Sequence, residues 1–147
     1  MRPKDWTSAN AAGTPMFQGL VRHDELERGM VEHAVLVTFE KTRKEYLYPA
    51  THHAGKDEPN LPAMGQRFRL KASVPIDDLP KEAKALALGL KKYGCICTDN
   101  GRAWDLCASI DKRHNANALK AIQRIKGSDF EVIVTTGEKE GPRASAP

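Results

Sequence analysis

Between Arg67 and Tyr93 the spacing of the apolar residues changes period, and that change constrains the fold more than any other feature of the chain. Phe68, Leu70, Ala72 and Val74 alternate with Arg67, Arg69, Lys71 and Ser73, the period of two that a half-buried strand shows. Leu79, Ala83, Leu86, Leu90 and Tyr93 then recur at steps of 4, 3, 4 and 3, which draws one apolar stripe along a helix. The helix is predicted from about Pro80, capped by Asp77 or Asp78. Lys91 and Lys92 suit the negative end of its dipole, and Gly94 supplies a left-handed stop.

The other segments supply more strands than helices. Val31 to Phe39 is too continuously apolar for a one-sided strand and reads as buried on both faces. The charged run EKTRKE, residues 40–45, predicts a solvated hairpin turn before a short strand Tyr46-Leu47-Tyr48, which Pro49 ends. Residues 50–63 form a loop broken by Gly55, Pro59 and Pro62. Cys95 to Thr98 and Ala103 to Ser109 read as a hairpin closed by Asp99-Asn100-Gly101-Arg102, because both positions of Asn-Gly tolerate positive φ. A second helix is predicted over Asn117 to Lys126, with Leu119, Ile122 and Ile125 inward, followed by a strand from Phe130 to Thr136. Before these, Ser8 to Gly13 and His23 to Gly29 read as two short turns, each closed by glycine. The expected class is α+β, a mostly antiparallel sheet or small β-barrel with two packed helices.

At 147 residues the chain suits one globular domain, 1–137, with a disordered tail at 138–147 that has nothing to bury. No apolar run is long enough for a membrane span, and Met1 to Ser8 lacks a signal's apolar core, so the product as written is expected to stay in the cytoplasm. The net charge is +4, and its excess sits late: residues 61–137 carry 13 Lys/Arg against 8 Asp/Glu, while residues 1–60 carry 8 against 9. So modest an imbalance reads first as a solvated basic face, which makes nucleic acid an unlikely partner. Cys95, Cys97 and Cys107 are clustered, odd in number and without a C-x-x-C knuckle, so they read as buried thiols rather than disulfides or metal ligands. No cofactor is expected.

Candidate chemistry lies in the polar turns. His52, in a loop beside Asp57, has the surroundings of a general base, and His33 sits at the entrance of a strand. Glu25, Asp99, Asp105 and Asp111 lie in or near turns where two carboxylates could converge, as glycosidic hydrolysis requires. Trp104, beside polar turn residues that include Asn100, reads either as a stacking platform for a ring or as core. The outward row Arg67, Arg69 and Lys71 reads either as an anion-binding row or as a device that blunts a sheet edge.

Several segments in order, WTSANAAGTPMFQGLVRHDEL, GMVEHAV, YPATHHAG, PAMGQRFRLKA and LKKYGCICTDNGRAWDL, resemble a largely uncharacterised, mostly secreted microbial protein family. Its pattern has a WTSADAAGLP opening, Pro-Met-Gly-x-Arg-Phe-Arg-Leu, and Leu-Lys-x-Tyr-Gly followed by Asp-Asn-Gly. The resemblance runs from about Trp6 to Val134 and includes His33, His52, Arg67, Arg69, Asp99, Asn100, Gly101 and Trp104. It departs at Cys95, Cys97 and Cys107, and this chain is similar to the C-terminal part of such proteins. The resemblance implies secretion of the related proteins and association with carbohydrate. The expected function is therefore a carbohydrate-active domain, a glycoside hydrolase with Glu25, Asp99 or Asp111 as acid and base, His52 assisting, and Trp104 stacking the sugar. The alternatives are a noncatalytic glycan-binding module and a polyanion or nucleic-acid binder using Arg67, Arg69 and Lys71. A homodimer is one expected way to shield strand edges that a missing N-terminal part would cover.

Overall fold

In a computed structural model of the chain, the residues described are 10–135 and 144–145. The strands are β1 (Val35–Phe39), β2 (Arg67–Leu70), β3 (Cys95–Asn100), β4 (Asp105–Leu106), β5 (Phe130–Thr135) and β6 (Ala144–Ser145). The helices are α1 (His23–Arg28), α2 (Lys81–Lys92) and α3 (Ala116–Lys120), the last continuing as a 3-10 turn over Ala121–Arg124. The strands lie in the order β4-β1-β3-β2-β5, with β6 added beyond β5. The sheet stays open, so of the two expected forms it is the sheet and not the barrel, and the class is α+β. Only β1 and β3 run parallel; the other described pairs are antiparallel.

A parallel pair cannot be joined by a tight turn, and here β2 and α2 lie within the crossover between β1 and β3. β1 is buried on both faces, as its composition predicts: Val35, Leu36 and Val37 are all buried, with Phe39 at its end. The alternation of β2 holds only to Leu70, beyond which Ala72 is exposed in a turn. The stripe of α2 is buried at Leu79, Ala83, Leu86 and Leu90, but Ala85, Ala87 and Gly89 are buried too. A second layer covers them: α1 packs on α2, and Val31 donates its N–H to Ala85 O at 3.2 Å. Gly94 follows α2 with φ 75°, the left-handed stop expected of it.

Several expectations fail for physical reasons. Neither Asp77 nor Asp78 caps α2. Pro80 is the N-cap in extended geometry and offers no side-chain bond, while Asp77 accepts from Lys84 and Asp78 from Arg124. Tyr46 to Tyr48 does not form a strand; a single bridge joins Tyr46 to Met64. The run 40–45 is no solvated hairpin turn, because Thr42 is buried and Arg43 bonds Pro62 O through its backbone. The hairpin expected across Asn100-Gly101 does not form either: β1 lies between β3 and β4. Of the tail expected to be disordered, Ala144 and Ser145 pair with Thr135 and Val134, and the rest lies outside the described residues. Ser8 of the expected N-terminal turn also lies outside them. Among the described residues no helix is long and apolar enough to cross a membrane.

Candidate functional site

The turn that fails to make a hairpin builds a cavity. After β3 the chain passes over the end of β1 and returns along its other side as β4. Gly101 donates its N–H to Phe39 O at 2.9 Å, Thr38 Oγ1 donates to Arg102 O at 2.7 Å, and Trp104 N–H donates to Thr38 O at 2.9 Å. This crossing holds Trp104 at φ 62°, a left-handed conformation uncommon for a bulky residue. Such strain costs on the order of 1–3 kcal/mol and persists only where the surroundings impose it. They do so here through rings: Trp104 stacks on Phe130 at 4.6 Å between centroids and meets Phe39 and Phe68 edge-on at 4.9 and 5.5 Å. At about 0.5–1.5 kcal/mol for each aromatic pair, the three contacts are enough to offset the strain.

Trp104 forms one wall of a cavity of about 390 Å³, with Leu90, Leu106, Ile122, Ile125 and Phe130. Arg102, Asp105, Gln123 and Lys126 supply polar groups around it. Apolar walls with a few polar groups are the usual build of a small-molecule site, and this volume is near the small end of the range. Gly127 completes the lining. A Cβ there would lie 2.7 Å from Trp104 Nε1, so only glycine lets the backbone pack this closely on the indole edge.

Of the candidate residues read from the sequence, Trp104 and Asp105 line this cavity, and Asp105 is paired with Arg102. Glu25 is 2% exposed and occupied: Arg22 donates to Oε1 at 2.7 Å, and His33 Nε2 lies 3.1 Å from Oε2. The other ring nitrogen of His33 donates to Ala34 O at 2.9 Å, so this imidazole braces α1 against the start of β1. His52 and Asp99 meet around a different feature, the turn Ala11–Gly13. A register shift after Val37 makes a bulge at Thr98, whose carbonyl accepts from Ala12 N–H at 2.9 Å. Asp99 Oδ2 accepts from Ala11 N–H at 3.3 Å, and the backbone N–H groups of Thr51 and His52 donate to Ala12 O. The ring of His52 is met by Thr51 Oγ1 at 2.8 Å, not by Asp57. Asn100 spends its amide on the Thr42 hydroxyl at 3.2 Å. Asp111 pairs with Arg113, whose hydrogen bonds hold the carboxyl well below the usual range.

The basic row is equally engaged. Arg67 donates twice to Tyr93 O, at 3.0 and 2.6 Å, covering the carbonyl end of α2, and burial lowers its pKa. Arg69 pairs with Glu131 across β5 at 2.7 Å, and Lys71 donates to Ser128 O. Cys95 and Cys97 lie in the core, where burial pushes the Cys97 thiol up to about 12. Cys107 stands beyond β1 rather than beside them, with its N–H on Leu36 O.

The chain matches no known family model, no curated protein and no solved structure. The sequence points to Trp104 and Asp105 but reads Ile122 and Ile125 as plain core and Lys126 as a helix end. The available signal was the Asn-Gly turn itself, which marks a sharp reversal without saying what passes through it.

Proposed function

We propose that this is a noncatalytic carbohydrate-binding domain that takes one sugar ring into the cavity beside Trp104. The observation that carries the reading is that cavity: a strained tryptophan at an apolar wall, with polar groups from Arg102, Asp105, Gln123 and Lys126. A sugar ring is amphipathic in the matching way, with C–H faces to lay on apolar walls and hydroxyl edges for the polar groups.

The lining favours binding over hydrolysis. Cleavage of a glycoside needs two carboxyl groups about 5–9.5 Å apart. The cavity lining holds one, Asp105, which accepts from Arg102 at 2.8 and 3.0 Å. Glu25, Asp99 and Asp111 are each engaged elsewhere. The polyanion reading loses support for the same kind of reason, since Arg67, Arg69 and Lys71 are all spent on protein acceptors.

The test is a titration with a panel of mono- and disaccharides, read by tryptophan fluorescence in a Trp6→Phe background so that Trp104 is the sole emitter. Saturable binding that weakens at least threefold in Gln123→Ala supports the reading. A folded protein whose emission no saccharide alters at millimolar concentration overturns it.

A further inference from the structure

Resting on that reading, we propose that the sugar ring taken by the Trp104 cavity carries a carboxylate, as a uronic acid residue does, and that Lys126 Nζ receives it. The charge around the cavity is unbalanced. Arg102 and Asp105 neutralise each other through paired hydrogen bonds, with Arg102 Nη2 at 2.8 Å and Nε at 3.0 Å from the carboxylate. Lys126 is the remaining charged residue of the lining. Among the described residues its ammonium makes one 3.3 Å bond, to Gln123 O, which leaves two of its three donors for a ligand.

The neighbouring acid does not cancel it. Asp129 Oδ2 accepts from the backbone N–H of Lys126 at 2.7 Å and is no part of the lining. Lys71 Nζ, on the far side of the same turn, is held by Ser128 O. The backbone from which Lys126 projects is fixed by the Asp129 bond and by the packing of Gly127 on the indole, so the ammonium starts from a defined anchor beside the wall where the ring would lie. A neutral sugar leaves this ammonium to water, whereas a ring carboxylate pairs with it directly.

Because Lys126 is exposed, the gain is that of a surface ion pair, up to about 1 kcal/mol or roughly fivefold in affinity. The experiment compares methyl β-D-glucuronide with methyl β-D-glucoside by calorimetric or fluorescence titration at low salt. The expected result is that wild type binds the glucuronide about fivefold more tightly, Lys126→Arg keeps the preference, and Lys126→Gln loses it. Lys120→Gln removes the same charge from an exposed site outside the cavity and is expected to keep it. Equal affinity of wild type for the two glycosides, or a preference that survives in Lys126→Gln, overturns the carboxylate proposal while leaving carbohydrate binding intact. Failure of both glycosides and of the wider saccharide panel to bind overturns both.

Discussion

Glu25 shows how a residue with the right chemistry can have the wrong surroundings for catalysis. Its carboxylate is sealed inside and bound on three sides, by the Arg22 guanidinium, the Arg22 N–H and the His33 ring. Substrate has no route to it, and its removal leaves Arg22 and His33 without their acceptor. Glu25→Ala is therefore expected to lower stability by on the order of 2 kcal/mol, read as a fall in the urea midpoint with an unchanged slope. A midpoint equal to wild type would show that the triad contributes nothing. The cysteines make a second prediction at this scale. Burial raises the thiol pKa of all three, most at Cys95 and Cys97, and only Cys107 is partly exposed. At pH 8 the native protein should react with a thiol reagent at Cys107 alone, and at all three positions in denaturant. Reaction of two or three thiols in the native protein would contradict the burial. The buried-thiol character of Cys95 and Cys97 is legible in the sequence because they alternate with apolar neighbours on one strand, whereas Cys107 is only partly buried. The engagement of Glu25 is not legible there, because it depends on where α1 meets the start of β1.

At the scale of elements, the local periods read true and the long-range partners did not. Phe68 and Leu70, and Leu79 through Leu90, bury as their spacing predicts, since each period is set within one strand or helix. The Asp-Asn-Gly-Arg turn misled because a turn signal fixes a reversal and not the width of the gap it spans. Asp77 or Asp78 has the chemistry and position of a cap for α2, but Asp78 instead ties the start of α2 to the 3-10 turn after α3. Asp78 accepts from both terminal nitrogens of Arg124, and these hydrogen bonds lower its pKa to about 2 from an ordinary value of 3.8. A carboxyl whose folded pKa is depressed adds stability above the unfolded value and loses it as pH falls through the folded one. The acid sensitivity of the fold between pH about 4 and about 2 should accordingly be shallower in Asp78→Asn than in wild type, measured by chemical denaturation at each pH. Curves that stay parallel would show the pair to be idle. Gly127→Ala carries another expectation: the added methyl must displace the indole or the turn. A loss of about 1–3 kcal/mol is expected, with a shift in Trp104 emission. Unchanged emission and stability would mean the close packing is not there.

Over the whole molecule, the candidate residues fall into separate neighbourhoods. Glu25 and His33 lie with α1, His52 and Asp99 around the Ala11–Gly13 turn, and Trp104 at the cavity. A panel of chromogenic glycosides should therefore show no turnover above background with wild type, and turnover that Asp105→Asn abolishes would restore the hydrolase reading. The sequence points to Trp104 and Asp105, while the rest of the cavity is hidden in it because the walls come from α2, the segment after α3, the start of β5, and the chain that leads into β4.

The threading of β1 between β3 and β4 would give any ligand of the cavity a role in assembly. Trp104 reaches its place only when the chain leaving β3 has closed over the end of β1, so the cavity exists only once the parallel pair has formed. Whatever fills it binds the finished sheet and not its precursors, and draws the population toward the native state by mass action, at about 2.7 kcal/mol for a ligand present at a hundred times its Kd. The melting temperature of this protein then becomes an assay in its own right: a compound that raises it in wild type but not in Gln123→Ala reports that the cavity beside this crossing has been filled.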